Sequence, residues 1–184
     1  SSDLVHVWKG DGRPLSGFPG EVTSPLQEPE HRAKIVSTPA VGDIDGDGRP
    51  EIVVGSNGLR QDLASAYAIR AEGHRHPGGA FVPGWRPFEL SGVRPELLPT
   101  LAHGLQMQPL LVDTDGDGDE EVILYAVTGG TAVLVDQSTD KGPTILAEFS
   151  MQPGSASKFN GISFVAGTGS GMLADTDGDG GLEL

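Results

Sequence analysis

Apolar residues along this chain come in short runs bounded by turn residues, with few stretches that hold a helical period beyond two turns. "TPAVG" (38–42), "EIVV" (51–54), "QPLLV" (108–112), "EVILY" (121–125), "SGMLA" (170–174) and "LEL" (182–184) are the clearest. Runs of this length between Gly, Pro and Asp clusters predict short β-strands, because strands need only a few residues to cross a sheet while helices need several turns. Gly (28) and Pro (14) make up 42 of the 184 residues, which supplies many turns and leaves little room for long helices. The expected fold class is therefore all-β.

The strands are organised by a repeat. "DIDGDGRPEIVVG" begins at Asp43, "DTDGDGDEEVILY" at Asp113 and "DTDGDGGLEL" at Asp175, giving spacings of 113 − 43 = 70 and 175 − 113 = 62 residues. Each copy is preceded and followed by an apolar run, so the unit reads as strand, acidic loop, strand. A second element alternates with it. Val5–Pro19, Ala66–Pro87 and Thr131–Phe149 each read as a β-hairpin turned by Gly and Asp residues. Two strands around a loop followed by a hairpin make a four-stranded antiparallel unit, the pattern of a β-propeller blade. On this reading residues 1–20 end one blade, 37–87 and 108–149 form two more, and 162–184 begin another. Phe88–Leu105 reads as a connection between blades and Ser150–Gly161 as a loop. Two whole blades and two partial ones do not close a ring, so further blades are expected from the same chain or another.

Charge narrows the function. The chain carries 26 acidic and 12 basic residues, a net −14. That argues against a nucleic-acid-binding role, which needs basic patches, and against docking on anionic lipid. No apolar run approaches the length of a membrane span. There is no Cys, and so no disulfide or thiolate chemistry.

The acids are concentrated in the loops. Carboxylates stand at positions 1, 3, 5 and 9 of every copy: Asp43, Asp45, Asp47 and Glu51; Asp113, Asp115, Asp117 and Glu121; Asp175, Asp177, Asp179 and Glu183. Positions 4 and 6 are Gly in all three. Four like charges in nine residues repel one another unless a cation compensates them. Ca²⁺ suits such a loop, since it takes six to eight oxygen ligands in flexible geometry, whereas Mg²⁺ keeps its waters and requires a stricter octahedron. The backbone carbonyl at position 7 (Arg49, Asp119, Gly181) is expected to complete the ring. The loop is not an EF-hand: position 12 is Val54 or Leu124, inside an apolar run, where an EF-hand places Glu.

"TPAVGDIDGDGRPEIVVG" and "QPLLVDTDGDGDEEVILY" resemble the FG-GAP/VCBS repeats of integrin α-subunit propellers and of bacterial secreted and surface proteins. The resemblance implies a propeller, usually seven-bladed, with Ca²⁺ held between the first two strands of a blade. It implies a place outside the cytoplasm, on the cell surface or in the periplasm, and a role in adhesion, recognition or assembly with a protein or glycan partner.

Catalytic signals are weak by comparison. No Gly-x-Ser-x-Gly elbow, phosphate loop or His-Glu-x-x-His motif occurs, and twelve of the 26 acids already belong to the loops. A non-enzymatic protein is expected, with a propeller-fold polysaccharide lyase or other carbohydrate-active enzyme as the alternative and a lectin as a third. His74 and His76 read as ordinary polar loop residues. Trp8 and Trp85 read as equivalent packing positions between blades.

Overall fold

A computed structural model describes residues 4–22, 34–35, 37–57, 63–86, 88–91, 105, 107–126, 131–137, 142–150, 158–159, 162–163 and 177–178. Among the described residues there is no α-helix; one 3-10 turn, Gly73–Arg75, interrupts a set of short antiparallel strands. The all-β expectation holds.

Three sheets carry most of the structure. The first is a two-stranded pair, β1 (Leu4–Val5) with β2 (Gly20–Glu21), extended by a bridge between Trp8 and Pro14. The second contains β3 (Lys34–Ile35), β4 (Ala40–Gly42), β5 (Glu51–Asn57), β6 (Leu63–Arg70) and β7 (Phe88–Ser91), in the order β3-β5-β6-β7 with β4 also on β5. The third is a meander of β8 (Leu110–Val112), β9 (Glu121–Ala126), β10 (Thr131–Asp136) and β11 (Thr144–Ser150). A short pair, β12 (Lys158–Phe159) with β13 (Ile162–Ser163), follows.

In the second sheet, β3 and β4 act as one interrupted strand. Ile35 pairs with Ser56 and Ala40 with Val53, on the same side of β5. Ser37 fills the gap: its hydroxyl accepts from the Gly55 N–H at 3.1 Å and lies 3.3 Å from the Gly55 carbonyl. A side chain thus supplies the ladder bonds that the broken strand cannot, which buried backbone groups require. Counted this way, the second and third sheets are both four-stranded and antiparallel.

Strand alternation decides what packs where, because successive side chains point to opposite faces. Ile52, Val54, Tyr67 and Ile69 pack with Val5 of the first sheet and Val22 just beyond it, joined by Ala80 and Phe81. Val53, Ala66 and Ala68, on the other face, pack with Val122, Leu124, Val133 and Val135 of the third sheet. The opposite face of the third sheet carries Ile123, Tyr125 and Ala132 beside Met107. The sheets are stacked face to face, and the core lies in the layers between them.

Several expectations are corrected. Phe88–Ser91, read as part of a connection, is a strand: Ala66 pairs with Phe88 and Leu63 with Ser91. The hairpin expected over Ala66–Pro87 is reduced to a single bridge, Ile69 to Phe81, and the residues between form the 3-10 turn and its flanking loop. Lys158–Phe159, inside the expected loop Ser150–Gly161, pairs with Ile162–Ser163. Trp8 and Trp85 are not equivalent. Trp8 is 59% exposed and stacks on His6, whereas Trp85 is fully buried. The unit expected over 162–184 lies almost wholly outside the described residues.

Candidate metal centre

Each described acidic loop joins two neighbouring strands. Residues 43–50 link β4 to β5, and residues 113–120 link β8 to β9, with the position-9 Glu opening the second strand in both. The tight curl depends on the paired glycines. Gly46, Gly48, Gly116 and Gly118 have φ of 68°, 81°, 81° and 100°, values that side-chain-bearing residues rarely adopt.

Both loops close on themselves by the same contacts. The position-9 carboxylate accepts the position-2 N–H: Ile44 to Glu51 at 3.2 Å, and Thr114 to Glu121 at 2.6 Å. The Thr114 hydroxyl also donates to Glu121. The position-5 carboxylate accepts the position-7 N–H, Arg49 to Asp47 at 2.8 Å and Asp119 to Asp117 at 3.2 Å. Position 1 differs slightly: Asp43 accepts from Gly48 at 2.8 Å, and Asp113 from Gly116 at 2.6 Å.

The result is a convergence of carboxylates. Ligand atoms of Asp43, Asp45 and Glu51 lie within 4.8 Å of one another, as do those of Asp113, Asp115 and Glu121. Positions 1, 3 and 9 are therefore brought together in both loops. Position 5 is not part of either group; Asp117 instead joins Asp119 and Glu121 in an overlapping group. Position 7 also splits. The Arg49 side chain turns outward to an ion pair with Glu72. The Asp119 side chain, expected to be idle, turns inward and is only 8% exposed. In the third loop Asp177 is exposed and Gly178 has φ 79°, while Asp175, Asp179, Gly181 and Glu183 lie outside the described residues.

Electrostatics makes these groups unstable as bare anions. Burial pushes the Glu51 carboxyl up to about 8, opposed by the Ile44 N–H and reinforced by the charges of Asp45, Asp47 and Asp43. Burial, then Asp47, raises Asp45, while Arg70 opposes the rise. Burial and the neighbouring Asp117 push Asp119 up to about 7. Asp43 Oδ1, Asp45 Oδ1 and Asp119 Oδ1 are buried without a hydrogen-bond partner. Buried acceptors left in this state cost stability, and a hard cation is the group that would satisfy several at once.

The two loops also touch. The Glu120 N–H donates to the Asp43 carbonyl at 2.8 Å, so the second loop holds the backbone of the first loop's leading residue. Arg70, paired in register with Glu51, is buried; its guanidinium donates to the Gly79 carbonyl at 3.3 Å and to the Phe81 carbonyl. None of these contacts is legible in the sequence. The Glu120 contact and the burial of Asp119 depend on the approach of a second sheet, and the only trace of Asp119 in the sequence is an acid where the first loop has Arg49. The imidazoles stand apart from the loops. The Gly78 N–H donates to His76 Nδ1 at 3.0 Å, His74 is exposed, and neither belongs to a group of candidate ligands among the described residues.

In both the second and the third sheet an acidic loop ties two neighbouring antiparallel strands. Residues 36–69, running through the first loop and into β6, match the family model of the FG-GAP repeat. The chain carries an FG-GAP repeat over that span. No curated protein and no solved structure matches the chain.

Proposed function

We propose that this chain is part of a Ca²⁺-stabilised β-propeller whose acidic loops bind calcium for structure rather than catalysis. The observation that carries this reading is the convergence of positions 1, 3 and 9 in both loops, with Asp43 Oδ1 and Asp45 Oδ1 buried and unsatisfied. Asp43, Asp45 and Glu51 would hold one ion, and Asp113, Asp115 and Glu121 another. The donor set is all oxygen, which fits a hard divalent cation and excludes a preference for softer metals. When bound, the ion cancels the repulsion among the carboxylates. The loop's own contacts, from Glu51 to Ile44 and from Glu121 to Thr114, then fix the first strand beside the second.

The stacked four-stranded sheets support the propeller reading, with each sheet as a blade and further blades completing the ring. Sites of this kind in extracellular modules bind Ca²⁺ at about 10⁻⁴–10⁻³ M, a range met outside cells. That supports a place outside the cytoplasm and a role in adhesion, recognition or assembly with a protein or glycan. Among the described residues no helix is long and apolar enough to cross a membrane.

Thermal unfolding in millimolar Ca²⁺ and in excess chelator tests the structural role. The melting temperature should fall clearly in chelator and recover when Ca²⁺ is restored. Superimposable curves would remove the basis for a structural ion.

A further inference from the structure

The first two acidic loops carry the same carboxylates at positions 1, 3, 5 and 9, but the strand that follows each loop–strand unit brings a different charge to it. In the second sheet Glu51 pairs in register with Arg70 of β6. In the third sheet Val122 pairs with Val135, so one residue further along the same register Glu121 stands opposite Asp136 of β10. Directly opposite residues share a face of the sheet. A cation and an anion thus occupy corresponding places beside the position-9 carboxylate.

Both charges act on their loops. Arg70 is buried, and its guanidinium is anchored by the carbonyls of Gly79 and Phe81. Its field reaches the first loop: burial, then Asp47, raises Asp45, and Arg70 opposes the rise. In the second loop burial comes first in raising Asp119, followed by Asp117 and then by the charges of Asp136 and Glu121. Asp119 is itself a further carboxylate at position 7, where the first loop has Arg49, already paired with Glu72. Glu120 does not separate the loops: it belongs to the second, while its N–H bonds the Asp43 carbonyl and its carboxylate lies against Gly42. With four loop carboxylates each, Arg70 leaves the first loop at −4 + 1 = −3, and Asp119 and Asp136 bring the second to −4 − 2 = −6.

We propose that Arg70 and Asp136 set the order in which these loops take up calcium: the second loop fills first, and the first loop, which holds a cation of its own, fills after it. This rests on the reading of the loops as Ca²⁺ sites and ranks them. The affinity of oxygen-ligand loops follows the charge gathered around the ion. A guanidinium keeps its charge at any physiological pH, so it opposes an incoming divalent cation permanently.

Glycine amides report each loop separately, because Gly46 and Gly48 lie in the first and Gly116 and Gly118 in the second. CaCl₂ is titrated into the chelator-treated, ¹⁵N-labelled whole chain, and the assigned amide resonances are followed. Gly116 and Gly118 should reach their half-change at a Ca²⁺ concentration at least about threefold below that of Gly46 and Gly48. Arg70→Gln should lower the midpoint of the first loop and Asp136→Asn should raise that of the second, each leaving the other loop's midpoint in place. Asp136→Asn alone carries the test if the buried Arg70 position tolerates no replacement. Coincident midpoints in the parent, a first loop that fills earlier, or midpoints that do not move in the folded variants would overturn the ordering and leave the Ca²⁺ reading of the loops intact. Amides of a folded parent that do not shift at millimolar Ca²⁺ would overturn both.

Discussion

The indole N–H of Trp85 donates to the side-chain oxygen of Gln137 at 2.7 Å, across the boundary between the second and third sheets. The residues are 52 positions apart in sequence and both are buried. Trp85 also packs on Phe88, with ring centroids 5.2 Å apart, and belongs to the apolar layer shared by Val53, Val122 and Val135. One side chain thus fills the layer between sheets and fixes their lateral position through a polar bond. The second relation of this kind is the Glu120 to Asp43 backbone bond between the loops.

Replacing Trp85 separates these contributions. Trp85→Phe keeps an aromatic ring but removes the donor, and should cost about 1–3 kcal/mol, the range for disturbing a buried hydrogen bond. Trp85→Ala should cost about 3–5 kcal/mol, because it also opens a cavity. Urea denaturation measures both. A cost near zero for Trp85→Phe would show that the bond to Gln137 contributes nothing beyond packing, and equal costs for the two variants would show that the ring adds nothing beyond the bond.

A glycine marks another close approach. A Cβ on Gly55 would lie 2.5 Å from the Leu105 carbonyl oxygen and 2.6 Å from its Cβ. Leu105 is held there by its N–H bond to Ser56 at 3.1 Å, so the obstacle is backbone that is tied down. Gly55→Ala should therefore destabilise by about 1–3 kcal/mol, as overpacking does. Gly10→Ala, with nothing within 4 Å of the new atom, should stay within about 0.5 kcal/mol. Matching midpoints for the two variants would refute the packing described for β5.

Arg49 offers a contrast with Asp119 at the same loop position. Its partner Glu72 is held below the usual carboxylate range, chiefly by a backbone hydrogen bond and with help from Arg49, but the pair is solvent-exposed. Arg49→Ala should change stability by less than about 1 kcal/mol, as exposed ion pairs do. It should also leave Ca²⁺ affinity nearly unchanged, since the side chain faces Glu72 and not the carboxylates of the loop. A large loss of affinity in dialysis would assign Arg49 a role that its outward orientation does not support.

What the sequence revealed follows from how local each feature is. The acidic loops were legible because ligand positions, turn glycines and flanking strands all lie within about a dozen residues, and the glycine φ values agree with that reading. Strands β5, β9 and β10 were legible from apolar runs ending at turn residues. Phe88–Ser91 was not, because its strand character comes from pairing with β6, across a loop rich in Gly and Pro. Trp8 and Trp85 look alike in sequence and differ in burial, because only Trp85 meets a following sheet. The inward turn of Asp119 has the same origin: it lies close to Gly46, 73 residues earlier (119 − 46 = 73). Features within one strand–loop–strand unit could be read from the chain; those created where two units meet could not.

Calorimetric titration of CaCl₂ into the chelator-treated whole chain reads directly whether the converged carboxylates are cation ligands. The parent should show saturable binding with Kd near the roughly 10⁻⁴–10⁻³ M of extracellular sites. The Asp45→Asn/Asp115→Asn double variant, which removes a charge from each 1-3-9 group, should bind at least about tenfold more weakly, a loss of about 1.4 kcal/mol. Identical isotherms for parent and variant, or no binding heat from a folded parent at millimolar Ca²⁺, would mean that these carboxylates are not cation ligands.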